Sequence, residues 1–158
     1  MSKVALFPGS FDPFTIGHES IVNRAMGLFD KIIIGVGHND NKKTFFSWEN
    51  RMAMIKDVFG NNSKVEITHY SDLTIDLCKR VGAKYILRGL RTAADFEYER
   101  AIAQVNKAML ADIDTVFILT LPEHTAINSS IVREILRYGG DAQKFISEAI
   151  DLKKYMTK

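Results

Sequence analysis

Cysteine occurs once in the 158 residues, as Cys78, so an internal disulfide is excluded and a reducing compartment is expected. No apolar run approaches the ~20 residues that a membrane helix needs. The run Val4–Phe7 is stopped at once by Pro8-Gly9. That is too short for the core of a signal peptide, and Arg-rich transit character is missing. The expectation is a cytoplasmic chain with no membrane partner. A large excess of one charge is also lacking, because 21 Lys and Arg stand against 19 Asp and Glu, a formal net charge of +2. That is too little for a surface that coats nucleic acid, so no nucleic-acid partner is expected and basic chemistry should be local. Internal repeats, low-complexity tracts and linkers are absent, which leaves a single domain over residues 1–158. Neither G-x-G-x-x-G nor a Walker A sequence ending in Gly-Lys-Ser/Thr occurs. This argues against a dinucleotide-dependent dehydrogenase and a P-loop kinase.

What is present is an alternation of short apolar runs with amphipathic stretches. Strands are expected at Val4–Phe7, Ile32–Val36, Val65–Tyr70, Tyr85–Leu87 and Val116–Leu121, rich in β-branched and aromatic residues. Ile21, Val22, Ala25, Met26 and Phe29 share one helical face. Trp48, Met52, Ile55 and Phe59 share another, with Ser47 placed as its N-cap. Further helices are expected at Ile75–Val81, Phe96–Leu110, Ser129–Tyr138 and Ser147–Met156, the second of these carrying Phe96 and Glu99. Cys78 falls inside a helical pattern and reads as buried filler. Strands alternating with helices give βαβ units, hence an α/β fold: a single Rossmann-like, doubly wound domain with a five-stranded parallel sheet flanked by helices.

Ligands of an open α/β sheet bind outside the carboxyl ends of its strands, so the residues after each strand carry the information. The first such stretch is Gly9-Ser10-Phe11-Asp12-Pro13-Phe14-Thr15-Ile16-Gly17-His18. It is a loop running into a helix N-terminus, where free N–H groups attract anions. His18 sits there as a possible donor to a phosphoryl oxygen, although turn formation and helix capping account for such residues too. After the fourth strand, Arg88-Gly89-Leu90-Arg91 offers two guanidinium groups suited to phosphate. The competing reading is a surface pair neutralised by Asp95, Glu97 and Glu99. After the fifth strand, Asn128-Ser129-Ser130 opens a helix with more polar side chains than one cap requires. Lys42 and Lys43 lie on the polar loop after the second strand. This concentration at strand ends, in a nearly neutral chain, points to a polyphosphate ligand. His38, His69 and His124 show no metal-ligand spacing with carboxylates, so no metal held by the protein is expected.

The stretch Gly9-Ser10-Phe11-Asp12-Pro13 with Thr15-Ile16-Gly17-His18 resembles the signature of the HxGH nucleotidyltransferase superfamily. Ser71-Asp72-Leu73, Arg88-Gly89-Leu90-Arg91, Ala94–Glu99 and Ile127–Arg133 resemble, in order and spacing, the motifs of the bacterial phosphopantetheine adenylyltransferases. The resemblance runs from Val4 to about Tyr138. It implies transfer of the adenylyl group of ATP to 4'-phosphopantetheine in coenzyme A biosynthesis, reversibly giving 3'-dephospho-coenzyme A and pyrophosphate. It also implies Mg²⁺ carried by the nucleotide phosphates and a homohexamer built as a dimer of trimers. The Arg88–Arg91 and Ala94–Glu99 motifs separate this reading from a cytidylyltransferase or a nicotinate mononucleotide adenylyltransferase. A regulatory nucleotide-binding module of the same fold is the non-enzyme alternative.

By the same resemblance, His18, Lys42, Arg91 and Ser10 are the catalytic candidates. Ser10, Phe11, His18, Gly89, Leu90, Arg91 and Glu99 would bind ATP, as would His124, Thr125, Ala126, Ile127, Asn128, Ser129 and Ser130. Ser10, Lys42, Leu73, Thr74, Arg88 and Asn106 would bind the acceptor. The chain departs from the family pattern at four of its positions. Thr15 replaces the first histidine of HxGH, Ser10 a frequent threonine, Asn128 the first of three serines, and His124 a frequent tryptophan.

Overall fold

The computed structural model describes residues 1–156. Five strands, β1 (Val4–Gly9), β2 (Lys31–Gly37), β3 (Val65–Tyr70), β4 (Tyr85–Leu90) and β5 (Asp114–Leu119), form one sheet in the order β3-β2-β1-β4-β5. Every neighbouring pair is parallel. Six helices connect and cover them: α1 (Ile16–Ala25), α2 (Trp48–Phe59), α3 (Thr74–Val81), α4 (Ala93–Met109), α5 (Ser129–Arg137) and α6 (Leu152–Met156). The expected doubly wound, five-stranded architecture is the one observed.

The central strands carry near-continuous apolar runs because both sheet faces are covered. Their period of two sends Leu6, Ile33 and Ile86 to one face, where they meet Leu77 and Cys78 of α3. Phe7, Ile32 and Ile34 go to the other face, against Val22 of α1 and Ile55 of α2. Cys78 is fully buried as expected, and burial pushes its thiol up to about 11. A third cluster joins Met54, Val132, Ile146 and Ile150 beneath the C-terminal segment.

Chain order places the site. From β1 the chain winds outward through β2 to β3, then returns to start β4 on the opposite side of β1. β1 and β4 pair only at Ala5↔Tyr85 and Leu6↔Ile86. Beyond Leu6 the two strands separate and a crevice opens at their carboxyl ends, the place where doubly wound sheets bind ligands.

Several boundaries differ from expectation. β4 continues three residues past Leu87, because Arg88, Gly89 and Leu90 are paired in register with Phe117, Ile118 and Leu119 of β5. β5 accordingly begins at Asp114 and ends at Leu119. α1 starts at Ile16, where Thr15 caps it. The helix expected at Ser147–Met156 survives only as Leu152–Met156. Gln143 Nε2 donates to the carbonyls of Ser147 and Ile150, and Leu152 N–H donates to Gln143 Oε1. These bonds take backbone groups that a longer helix would have used.

Candidate active site

The loop that follows β1 is shaped by glycine and aromatic packing. A Cβ on Gly9 would lie 2.8 Å from Phe11 Cζ, so only glycine lets the Phe11 ring fold back there. Phe11 itself has φ 49, the left-handed region. Its ring is buried against Phe7, Phe14 and His18, with centroids 5.2, 5.4 and 5.0 Å away. Next along the loop, the buried Asp12 carboxylate accepts from Phe45 and Phe46 N–H at 2.8 Å each. The peptide Asp12–Pro13 is cis.

Two arginines hold this loop from behind. Arg51 of α2 is 1% exposed, and its Nη1 donates to the carbonyls of Ser10 (2.6 Å) and Gly37 (2.9 Å). Those carbonyls lie where β1 and β2 end and their ladder stops, so one buried nitrogen satisfies both. Burial pulls the Arg51 guanidinium below its ordinary pKa, while Asp12 and Glu49 pull it back up. Arg133 of α5 donates through Nη1 to the Asp12 carbonyl (2.8 Å) and through Nη2 to Ser130 Oγ (3.0 Å). Ser129 Oγ adds a bond to the Pro13 carbonyl at 2.8 Å. Ser10 is thereby fixed between the carboxyl ends of two strands.

His18 occupies the third position of α1 and completes a reciprocal cap. Thr15 Oγ1 accepts from His18 N–H at 3.4 Å, and His18 Nδ1 accepts from Thr15 N–H at 3.0 Å. An accepting Nδ1 carries no proton, so the neutral ring holds its hydrogen on Nε2. The aromatic surroundings desolvate the imidazole, and Arg88 and Arg91 add positive charge nearby. Together they lower its pKa from the ordinary 6.5 to about 3. His18 is therefore a neutral N–H donor at physiological pH.

Arg88 stands at the point where β1 and β4 part. Its Nε and Nη2 engage Glu99 bidentately at 2.9 and 2.7 Å, and Nη1 donates to the Pro8 carbonyl at 2.6 Å. The Glu99 carboxylate thus orients Arg88, which leaves guanidinium hydrogens free for a further acceptor. Arg91 is oriented in the same manner by Asp95, which accepts from its backbone N–H (3.1 Å) and its Nε (3.3 Å).

Around these groups lie two adjoining cavities. The first, about 330 Å³, contains His18, Gly89, Arg91 and His124, with Ile127, Asn128, Ser129 and Ser130 at the start of α5. The second, about 290 Å³, is lined by Tyr70, Thr74, Tyr98, Ile102 and Asn106. Pro8, Gly9, Ser10, Arg88 and Glu99 belong to both and form the wall between them. Phe11 lines the first cavity only. Tyr70 forms a side of the second: its hydroxyl lies 3.1 Å from Thr74 Oγ1, and its ring packs where a Cβ on Gly37 would be 3.6 Å away.

Most of the residues expected from the motifs converge here. Lys42, Leu73, Leu90, Thr125 and Ala126 line neither cavity. Lys42 is exposed in a turn closed by its N–H to the Asn39 carbonyl (2.9 Å), and Leu73 is the exposed N-cap residue of α3. Asn128 spends its Oδ1 on capping α5, accepting from Ile131 N–H at 2.9 Å. Its neighbours Ser129 and Ser130 are engaged by Pro13 and Arg133. His124 lines the first cavity, and its Nδ1 is buried without a hydrogen-bond partner. Asp12, Arg51 and Arg133 were not singled out from the sequence. Only the motif that contains Asp12 and the stretch ending at Arg133 gave any signal.

Comparison with known proteins accords with this geometry. A family model described as cytidylyltransferase-like matches residues 6–135. A phosphopantetheine adenylyltransferase of Flavobacterium psychrophilum is 50% identical over 151 residues, covering 96% of this chain and 99% of the relative. Its namesake from Bacteroides thetaiotaomicron is 48% identical over 150 residues, covering 95% and 99%. Among solved structures, one described as a nicotinate-nucleotide adenylyltransferase from Vibrio parahaemolyticus superposes with TM-score 0.65 at 21% identity, covering 93% of this chain and 94% of that one. A bifunctional NMN adenylyltransferase/ADP ribose pyrophosphatase from Francisella tularensis gives TM-score 0.69 at 19% identity, covering 92% and 45%. At these identities the two structures establish the fold alone. The chain belongs to the cytidylyltransferase-like family and, within it, to the phosphopantetheine adenylyltransferases.

Proposed function

We propose that the chain binds ATP in the first cavity and 4'-phosphopantetheine in the second, and joins them at the wall the two share. It transfers the adenylyl group of ATP to the acceptor, giving 3'-dephospho-coenzyme A and pyrophosphate in coenzyme A biosynthesis. The observation that carries this reading is the pair of adjoining cavities divided by Ser10 and Arg88. A reaction between two phosphates requires such a junction.

The acceptor phosphate is already an anionic nucleophile and needs little help from a general base. Its oxygen forms a bond to the α-phosphorus as the bond from that phosphorus to the α–β bridging oxygen breaks, and pyrophosphate leaves; Mg²⁺ carried by the nucleotide phosphates would offset their charge. The obstacle is bringing a dianion in line with a polyanion, so catalysis rests on positioning and charge stabilisation. His18 Nε2–H, held neutral and aimed from the first cavity, donates to the α-phosphate. Ser10 and Arg91 add donors at the same centre. Arg88, steadied by Glu99, meets the acceptor phosphate at the dividing wall. Lys42 lies outside both cavities, so its part in the step requires the loop after β2 to close over the acceptor. The opening turn of α5 faces the departing pyrophosphate.

Assembly into a homohexamer, a dimer of trimers, fits the same reading. Helix α4 buries none of its residues in this chain, and Val105 and Met109 expose 56% and 48% of their surface. Leu119, at the edge of the sheet on β5, is 69% exposed. Light scattering at micromolar concentration should give a particle several times the 17.9 kDa chain, and a stable monomer contradicts this assembly. The cytoplasm, where ATP is abundant and thiols stay reduced, is the compartment proposed.

The activity is tested by following pyrophosphate release from MgATP with 4'-phosphopantetheine and with unphosphorylated pantetheine. Turnover is expected with the first and none with the second, which lacks the nucleophile. A protein that binds ATP and releases no pyrophosphate with either would be a nucleotide-binding module instead.

A further inference from the structure

Outside both cavities, at the carboxyl ends of β2 and β3, the fold brings together two histidines that stand 31 positions apart in the chain. His69 lies in β3 opposite Val36, and His38 follows β2 directly with its backbone N–H bonded to the Tyr70 carbonyl at 2.9 Å. Both backbones are thus fixed by the sheet. The two imidazoles are hydrogen-bonded to each other, His38 Nε2 and His69 Nδ1 lying 3.2 Å apart, so an ion bound there would replace the shared proton. Trp48 stacks on His69 with centroids 4.1 Å apart and planes 23° apart. The same indole lies over His38 at 5.4 Å and 21°. The stack restricts both rings before any ligand arrives.

The separation suits a shared ion. Bonds of about 2.0–2.1 Å to a tetrahedral Zn²⁺ place two imidazole nitrogens about 3.3 Å apart. A second feature concerns the other side of His38. Its Nδ1 is buried and makes no hydrogen bond, and Asp40 Oδ1 stands 3.8 Å away. An ion on Nε2 would oblige the ring to carry its proton on Nδ1, facing that carboxylate. This is the arrangement in which a metal-bound histidine is oriented by an acidic partner. The Asp40 side chain is 95% exposed and has room to close the gap.

We propose that His38 and His69 form a binding site for one borderline divalent cation, of the class of Zn²⁺ and Ni²⁺, with Asp40 as the outer partner of His38. Imidazole pairs select these ions over Mg²⁺, which takes oxygen ligands. No three His, Cys, Asp or Glu side chains among the described residues stand together as a ligand set, so water completes the coordination. The site is separate from the Mg²⁺ that travels with the nucleotide, because neither histidine lines either of the two adjoining cavities.

Trp48 is the only tryptophan of the chain, so its fluorescence reports this site alone. In nucleotide-free protein, Ni²⁺ should quench it along a saturable curve that fits one equivalent, and Zn²⁺ should reverse the quenching by competition. His69→Ala and His38→Ala should each weaken binding at least tenfold, and Asp40→Asn about threefold. His69 is exposed, so its substitution decides the matter even where the His38 variant fails to fold. Absence of saturable quenching up to millimolar Ni²⁺, or an unchanged curve in His69→Ala, would overturn the proposal.

Discussion

Replacing His18 by asparagine separates the two jobs its ring performs. Nδ1 accepts from the N–H of Thr15, a residue only 2% exposed, while the ring lines the first cavity and leaves Nε2–H for a ligand there. Asparagine Oδ1 lies as many bonds from Cβ as Nδ1 does, so His18→Asn keeps an acceptor for Thr15 and loses the distal donor. His18→Ala loses both. Leaving a buried N–H unpaired costs about 1–3 kcal/mol. At roughly 2–4 °C per kcal/mol for a domain of this size, His18→Ala should melt ~2–12 °C lower, and His18→Asn should stay within ~2 °C of the parent. Catalysis should not follow that order. Losing a donor felt mainly in the transition state lowers kcat by ~10²–10³ with little change in KM, so both variants should fall alike. Calorimetry and steady-state pyrophosphate release supply the two readouts. A well-folded His18→Asn protein with kcat within threefold of the parent would refute the Nε2–H role. A raised KM with intact kcat would reduce His18 to a binding residue.

The low pKa of His18 also makes stability depend on pH. Between pH 6.5 and about 3 the unfolded chain binds a proton at this position that the folded chain does not. Stability should therefore fall by about 1.4 kcal/mol per unit as pH drops through that window. Urea unfolding at pH 6 and 5 should show a shallower loss for His18→Asn, and identical slopes would contradict the neutral ring. Arg51→Met leaves the Ser10 and Gly37 carbonyls unpaired and should destabilise by about 3 kcal/mol, from two bonds to a charged donor. Because both bonds leave from Nη1, Arg51→Lys should recover most of that loss, and a Met variant as stable as the parent would show the bonds to be idle. Arg88→Ala should weaken acceptor use by about 1.5–3 kcal/mol, read as kcat/KM for 4'-phosphopantetheine. An effect confined to the KM of ATP would assign the Arg88 guanidinium to the nucleotide instead of the acceptor.

Much of the fold is legible in the chain because apolar runs such as Ile32–Val36 belong to strands covered on both faces. Strand ends are less legible, since pairing rather than composition decides them. Arg88 and Gly89 were expected beyond β4 and lie within it, because β5 pairs with them. The last helix is shortened by one side chain, Gln143, whose reach across nine residues leaves no periodic trace. The motifs name many of the residues that line the two cavities, yet they do not say how each is held. Glu99 was expected at the nucleotide, and its carboxylate bonds to Arg88. Arg51 looks in sequence like an ordinary helix-surface arginine. Its burial is set by where two strands run out of ladder, which no local pattern records. Lys42 is the converse case: the motif marks it, and the turn after β2 holds it outside both cavities.

The central claim is the identity of the acceptor, and two solved structures that share this fold are described as an NMN and a nicotinate-nucleotide adenylyltransferase. The most direct measurement compares three acceptors with MgATP under one pyrophosphate assay: 4'-phosphopantetheine, nicotinamide mononucleotide and nicotinate mononucleotide. The second cavity, where Tyr70, Thr74 and Asn106 stand beside Ile86 and Ile102, mixes polar and apolar surface and is the proposed place of the long pantetheine arm. Efficient adenylylation of 4'-phosphopantetheine, with kcat/KM at least a hundredfold above either mononucleotide, is the result expected. Turnover of a mononucleotide with none of 4'-phosphopantetheine would contradict the account.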